Sequence, residues 1–311
     1  MTQPISDLLS AYEAGTFAGV PRAGLDSGAR AAILGIPFDT GLNAFRIGCR
    51  QGPDHIRATS RPDRRYLFHS GRDFLATTAV VDLGNVAVTP SHVEEAFERI
   101  EAATAAVLDA GVVPITLGGD GSVTLPQLRA AYRKFGPLAV LHCDAHTDTS
   151  DAPGAARYST TSTFLRAAEE GLVDPELTFH IGARGTVSAL ASTRDYASKV
   201  GHQIIPMDEF LGEGIAAVSQ RLSATIGDRP VYVCWDMDFF DPAVAPGVAM
   251  PEWGGASARE GIELLRNFAS LHTVSFDLNT VSPPHDPQGM TADLASRVIL
   301  EYLDQLAARE S

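Results

Sequence analysis

LAVLHCDAHTDTSD, residues 138–151, passes from an apolar run directly into Asp144, His146 and Asp148. A short apolar run bounded by turn residues reads as a strand buried on both faces, the kind found in parallel sheets. Residues i and i+2 of a strand point to the same side. Asp144 and His146 therefore project together, and Cys143 turns the opposite way as a small core residue. A second stretch, PVYVCWDMDFFDP (230–242), repeats the form with Asp236 and Asp238 on one side and Asp241 following. In open α/β sheets ligands bind outside the carboxyl ends of the strands. Four carboxylates (Asp144, Asp148, Asp236, Asp238) converging there repel one another, and one or two divalent cations are the simplest compensation. Mostly carboxylate donors with one imidazole suit Mn2+, with Ni2+ or Co2+ as alternatives. Two such ions ~3.5–4 Å apart can bridge and activate one water. A lone Asp-x-Asp is more often a turn or cap; two such motifs, each after an apolar strand, favour a metal site.

Outward from these motifs the chain alternates apolar runs with amphipathic stretches. Strands are expected in 30–39, 78–88, 112–120, 138–146, 177–185, 202–210, 230–241 and 273–283. Helices are expected at 91–111, where Ser91 reads as the N-cap and Gly111 as the stop, and near 123–135, 161–170, 186–199, 212–226, 257–270 and 290–308. Such alternation implies right-handed crossovers and a mostly parallel sheet covered on both faces, an α/β fold. No linker, repeat or charge block divides the chain, so 30–311 reads as one domain preceded by an N-terminal extension, 1–29. The long loops 40–75 and 149–160 are candidates for function.

The chain has 311 residues, 45% of them hydrophobic, enough for one large core. Its formal net charge of −14 argues against nucleic-acid or anionic-membrane partners and favours approach of a cationic ligand. No apolar run reaches the ~18 residues of a membrane-spanning helix. MTQPISDLLSAYEAG lacks the basic-then-apolar form of a secretory leader. Three widely spaced cysteines form no disulfide framework, and a cytoplasmic location is expected.

Together the motifs carry a family likeness. ILGIPFDTG (33–41), CRQGPDHIR (49–57), GGDGS (118–122), HCDAHTDT (142–149), DMDFFDPAVAPG (236–247), PEWGG (251–255) and FDLNTVSPPHD (276–286) follow one another in the order of the ureohydrolases: arginase, agmatinase, guanidinobutyrase and relatives, with agmatinase the nearer type. The resemblance implies a three-layer α/β/α fold with a mostly parallel sheet, and trimers or hexamers. It also implies a binuclear manganese or nickel site that hydrolyses guanidino groups to urea and an amine. On that likeness Asp144, His146, Asp148, Asp236 and Asp238 match five of six metal ligands, so this chain holds two ions, one, or none. The family's sixth ligand is a His after GGD; here it is Gly121. A His associated with proton transfer corresponds to Thr160, in register with FLRA (164–167), and a Glu that contacts the guanidinium corresponds to Thr280, with Asn279 beside it. No catalytic side chain is therefore assigned, and Asn279, Thr280 and Glu252 are the candidate substrate contacts. His142 is common at this position in the family and is not expected to replace the missing ligand. His285 either reaches the pocket mouth or is simply exposed; Glu252 and Trp253 either border substrate or form a surface turn.

Each departure has a size. A positioned general acid or base is worth ~10²–10⁴ in rate. A charge-assisted bond to a guanidinium is worth ~1.5–3 kcal/mol. Three readings follow. In the first, the chain is a non-catalytic or weakly active subunit that assembles with a competent paralogue in a hetero-oligomeric amidinohydrolase, an arrangement similar to the metformin hydrolase pair within the family. In the second, it is a self-sufficient agmatinase- or guanidinobutyrase-like metallohydrolase with an altered site. In the third, it is a non-catalytic homo-oligomer that binds a guanidino small molecule.

Overall fold

The computed structural model describes residues 3–11, 15–42, 46–64, 66–151, 157–186 and 193–309. Eight strands form one sheet: β1 (Ala31–Gly35), β2 (Val80–Asn85), β3 (Val113–Leu117), β4 (Leu138–Cys143), β5 (Val173–Ile181), β6 (Gln203–Ile205), β7 (Val231–Asp236) and β8 (Thr273–Asn279). Their order is β2-β1-β3-β8-β7-β4-β5-β6 and every pairing is parallel. The central strands read as unbroken apolar runs because each is buried on both faces.

Among the described residues ten helices cover the sheet: α1 (Gly52–Thr59), α2 (Phe74–Thr77), α3 (Val93–Asp109), α4 (Thr124–Phe135), α5 (Thr163–Glu169), α6 (Thr193–Lys199), α7 (Met207–Glu213), α8 (Ile215–Ile226), α9 (Ala258–Asn267) and α10 (Met290–Ala308). On one face Ile33, Leu141 and Trp235 pack with Ile56, Leu222, Leu265 and Ile299, drawn from α1, α8, α9 and α10. On the other, Leu34, Val140 and Tyr232 pack with Ile100, Leu128 and Phe164, drawn from α3, α4 and α5. The architecture is three layers, α/β/α. No helix among the described residues is long and apolar enough to cross a membrane.

Several expected boundaries move. Ser91 does not cap α3: its φ is +72, its hydroxyl bonds Pro90 O, and the helix starts one residue later from His92 without a side-chain cap. Gly111, at φ +75, does end that helix, supplying the left-handed turn that a side chain would resist. The helix expected at 212–226 is two, broken at Gly214 (φ +91). The strand expected at 202–210 stops at Ile205, because Pro206 opens α7. The loop 40–75 contains α1, begun by Gly52-Pro53, a start whose missing N–H costs nothing in a first turn. The first part of the helix expected at 186–199 lies outside the described residues. The N-terminal segment packs onto the domain, with Phe17 and Val20 in one core layer and Leu8 in the other.

Helix α1 is tied to the sheet by a buried ion pair. Arg57 donates from Nε to Asp82 Oδ2 (2.9 Å), from Nη2 to Asp82 Oδ1 (3.0 Å) and Gly84 O (3.0 Å), and from Nη1 to Asn85 Oδ1 (2.6 Å). Fully satisfied guanidinium and carboxylate groups are the condition under which such a pair is tolerated inside a protein.

Candidate metal centre

The four sequence motifs lie at the carboxyl ends of β3, β8, β7 and β4, which are consecutive in the sheet. The loop after β3 shows why GGDGS is built as it is. A Cβ on Gly118 would stand 1.7 Å from Asn279 Oδ1, and one on Gly119 would stand 1.6 Å from Phe38 O. Both glycines are required by close approach. Asp120 accepts from Thr40 N and Oγ1 (2.9 Å each) and from Ser122 N (3.1 Å), latching the loop after β1 to the loop after β3. Burial raises its pKa. A Cβ on Gly121 would meet Asp148 Oδ2 at 3.1 Å, Thr160 Cγ2 at 3.2 Å and Asp236 Oδ2 at 3.3 Å. This loop thus aims position 121 at the carboxylates and presents only a hydrogen.

Asp144, Asp148, Asp236 and Asp238 are each buried, with 1–4% exposure. His146, a quarter exposed, lies 3.1 Å from Asp144 Oδ1 and 3.6 Å from Asp238 Oδ2. Three overlapping donor groups result, each with ligand atoms mutually within 4.8 Å: His142, Cys234 and Asp236, and, as the two that share Asp144, Asp144 with His146 and Asp238, and Asp144 with Asp148, Asp236 and His142. All five residues singled out as ligands are therefore gathered in one place. Asp241 stands apart, accepting from Ala243, Gly254 and Gly255 N–H groups to shape the 251–255 turn.

The electrostatics are those of a crowded anionic cage. Burial, then the charge of Asp144, pushes Asp148, Asp236 and Asp238 well above the usual carboxylate range. Burial opposes the charge on Asp144 as well, but His142 and His146 hold it well below that range. His146 is likewise opposed by burial, yet its bond to Asp144 and the surrounding carboxylates raise it to about 10. Asp238 Oδ1 is buried with no hydrogen-bond partner, as expected of an atom meant for an ion, and His142 Nε2 faces Asp144 Oδ2 at 3.0 Å. The residues fit two neighbouring divalent cations held by carboxylate and imidazole.

Beside the cage is a cavity of about 50 Å³ lined by His146, Asp148, Thr160, Asp238, Met250 and Thr280, among others. Thr160 turns its methyl toward Gly121, and its buried hydroxyl has no partner. Thr280 holds a strained φ of +74 and accepts a bond from Met237 N–H (3.0 Å), so its hydroxyl is committed to backbone. Asn279 is not at the cavity: it is wholly buried and donates to Thr124 Oγ1 (3.0 Å) and Asp277 Oδ2 (3.1 Å). It shares the strand face of Asp277, where Thr116 and Tyr232 also converge. Glu252 does not line the cavity either; its carboxylate lies over Gly185. Trp253 is 74% exposed, and His285 sits half-buried on the turn Pro283–His285.

Two features escaped the sequence reading. Arg184, just past β5, donates to the backbone oxygens of Asp238 (2.7 Å), Phe240 (3.2 Å) and Glu252 (2.9 Å), clamping the loop after β7. A charged residue directly beyond a buried strand was the available signal. The second is a file of buried histidines. His142 Nδ1 is 2.8 Å from His180 Nδ1, and His180 Nε2 is 3.0 Å from His202 Nδ1. Nothing local in the sequence links them, because they come from β4, β5 and the entrance to β6.

Known proteins place this geometry in context. A family model described as the arginase family matches residues 29–304. Guanidinopropionase of Pseudomonas aeruginosa is 37% identical over 306 residues, covering 96% of this chain and 95% of that one. The mitochondrial agmatinase of Gallus gallus is 36% identical over 276 residues, covering 89% and 81% respectively. Among solved structures, proclavaminate amidinohydrolase from Streptomyces clavuligerus superposes with a TM-score of 0.88 at 34% identity, covering 95% of this chain and 98% of that chain. Members of this family depend on a binuclear metal centre, and this chain keeps its cage on the loops after the adjacent strands β4 and β7. By sequence and by fold alike, the chain belongs to the arginase family, the ureohydrolases.

Proposed function

We propose that this chain is a ureohydrolase subunit that retains the cation cage but lacks the side chains that handle substrate and proton, and that it works beside a catalytically competent paralogue. The observation that carries the reading is the pair Thr160 and Thr280. One offers a methyl to the cage, and the other has its hydroxyl engaged by Met237 N–H. Divalent cations bound in the cage supply Lewis acidity and an activated water. The chain's own residues must then bind the guanidinium and deliver a proton to the departing nitrogen. No carboxylate projects from position 280 to pair with a guanidinium, and no imidazole projects from position 160 to carry a proton. Hydrolysis of a guanidino or biguanide compound to urea and an amine by this chain alone is accordingly slow. An assembly role is supported by Phe68, which is wholly exposed beside the 60%-exposed Tyr66; aromatic side chains are enriched where subunits meet. The assembly would be a mixed trimer or hexamer, and the three free, buried cysteines support a cytoplasmic location.

The test is urea release by this chain alone, by a ureohydrolase paralogue encoded beside it, and by the co-expressed pair. Activity confined to the pair, or much greater in it, supports the reading; full activity of the lone chain overturns it. The retained cage favours a second reading, a self-sufficient hydrolase acting on a substituted guanidine whose altered group needs no carboxylate partner. Turnover of such a substrate by the lone chain would establish it.

A further inference from the structure

The cage has a gap at position 121, and a side chain from a different strand stands where that gap can be closed. We propose that His142, through Nε2, is the imidazole donor that completes the Asp144–Asp148–Asp236 half of the centre in place of the side chain Gly121 lacks.

Three independent observations carry this. The first is position. A ring nitrogen of His142 and one oxygen from each of Asp144, Asp148 and Asp236 lie within 4.8 Å of one another, and two of those carboxylates, Asp148 and Asp236, are the ones toward which Gly121 is aimed. Each half of the cage then has one imidazole, His146 in one and His142 in the other. The second is an orphaned atom. His142 is 0% exposed, and Nε2 has no aligned hydrogen-bond partner even though Asp144 Oδ2 is 3.0 Å away. An N–H serving that carboxylate would point along the line between them, whereas a lone pair serving an ion among three carboxylates need not.

The third is what stands behind the ring. A metal-ligating imidazole characteristically donates its other N–H to an acceptor, which fixes the tautomer and the ring orientation. His142 Nδ1 faces His180 Nδ1 at 2.8 Å, and His180 Nε2 faces His202 Nδ1 at 3.0 Å. A file of neutral imidazoles must carry its N–H groups all in one sense, since each neutral ring has one N–H and one bare nitrogen. With Nε2 of His142 kept bare for the ion, its Nδ1–H donates to His180 and His180 Nε2–H donates to His202, whose own Nε2 ends the file without a partner. Phe164 packs on the His142 ring at a centroid distance of 4.3 Å and restrains its tilt. His180 and His202 are thus positioning residues for His142.

The inference rests on the cage being a cation site, and the experiment separates the two ideas. The full chain is stripped of metal and titrated with Mn2+ and with Ni2+ by calorimetry, with ions counted after desalting and histidine nitrogens on bound Mn2+ counted by pulsed EPR. Wild type is expected to hold two ions with two histidine nitrogens. His142→Gln is expected to keep the Asp144–His146–Asp238 ion and to weaken the other by at least the ~10–100-fold that follows loss of a mere supporting contact. Adding Gly121→His to that variant restores the second ion. Gly121→His alone guards against a misfolded His142 variant: it leaves the count at two if His142 already fills the position. A rise from one ion to two on that single change overturns the proposal, as does unaltered binding in His142→Gln. Wild type that binds no ion overturns the cage itself along with it.

Discussion

Replacing His202 by Asn isolates an acid sensitivity built into the core. His202 is 4% exposed, and burial first, then the field of His142, lowers its pKa from 6.5 to about 4. The unfolded chain takes up this proton near pH 6.5; the folded chain resists until about pH 4. Between those values the unfolded state binds more protons, so stability falls as pH falls. At ~1.36 kcal/mol per unit, a shift from 6.5 to about 4 is on the order of 3 kcal/mol once the pH is below 4. Asn offers His180 Nε2 a donor or an acceptor as needed but does not titrate. The assay is urea unfolding of the metal-stripped chain, wild type and His202→Asn, from about pH 8 to about pH 4. The cage carboxylates, whose raised pKa values work in the opposite sense, are common to both proteins and cancel in the difference. Wild type should lose ground to the variant by roughly 3 kcal/mol across this window and by nothing above it. A difference that does not change with pH would refute the assignment of His202 as a buried neutral base.

Arg57→Met should destabilise by about 3 kcal/mol in urea melts, the lower end for a broken buried pair, because Phe17 N–H and Gly84 N–H still serve Asp82. Thr160→His combined with Thr280→Glu should raise urea release by the lone chain at least ~10²-fold, since it supplies both a proton carrier and a guanidinium partner. Thr280→Gly relieves the positive φ but leaves Met237 N–H without its acceptor. Those effects, ~1–3 kcal/mol each, oppose one another, so the melting temperature should move little. Chelator should lower the melting temperature of metal-loaded protein in proportion to the logarithm of the cation excess removed, as for any ligand that binds only the folded state.

Much of this was legible in the chain, for identifiable reasons. The central strands can be read because burial on both faces leaves a run of mostly apolar residues, as in LAVLHC and VYVCW, whereas the short edge strand β6 was read too long. The cage can be read because each acidic motif directly follows an apolar strand and the two strands prove adjacent, although the expected strand alternation does not extend that far: Asp144 and His146 lie past the end of β4, and Asp238 sits on the single turn Met237–Phe239 after β7. What could not be read depends on neighbours across strands. The same alternation puts Asn279 with Asp277 on the face that meets Thr116 and Tyr232, so a residue expected at the substrate is consumed by a buried polar knot. The His142–His180–His202 file exists only because β4, β5 and β6 are neighbours in that order. Helix α1 was missed because eight residues hold too few turns to show a period.

The crowding of Asp148, Asp236 and Asp238 has an evolutionary consequence. Carboxylates forced together out of water store free energy against the folded state, and only the ions they attract offset it. The apolar layers that hold the domain together include none of them. Erosion of such a centre therefore runs downhill in folding energy, and once another polypeptide performs the reaction, selection has little reason to resist it. A lineage of this architecture can shed its chemistry one donor at a time while its two layers of packed aliphatic side chains, and the surfaces built on them, stay intact.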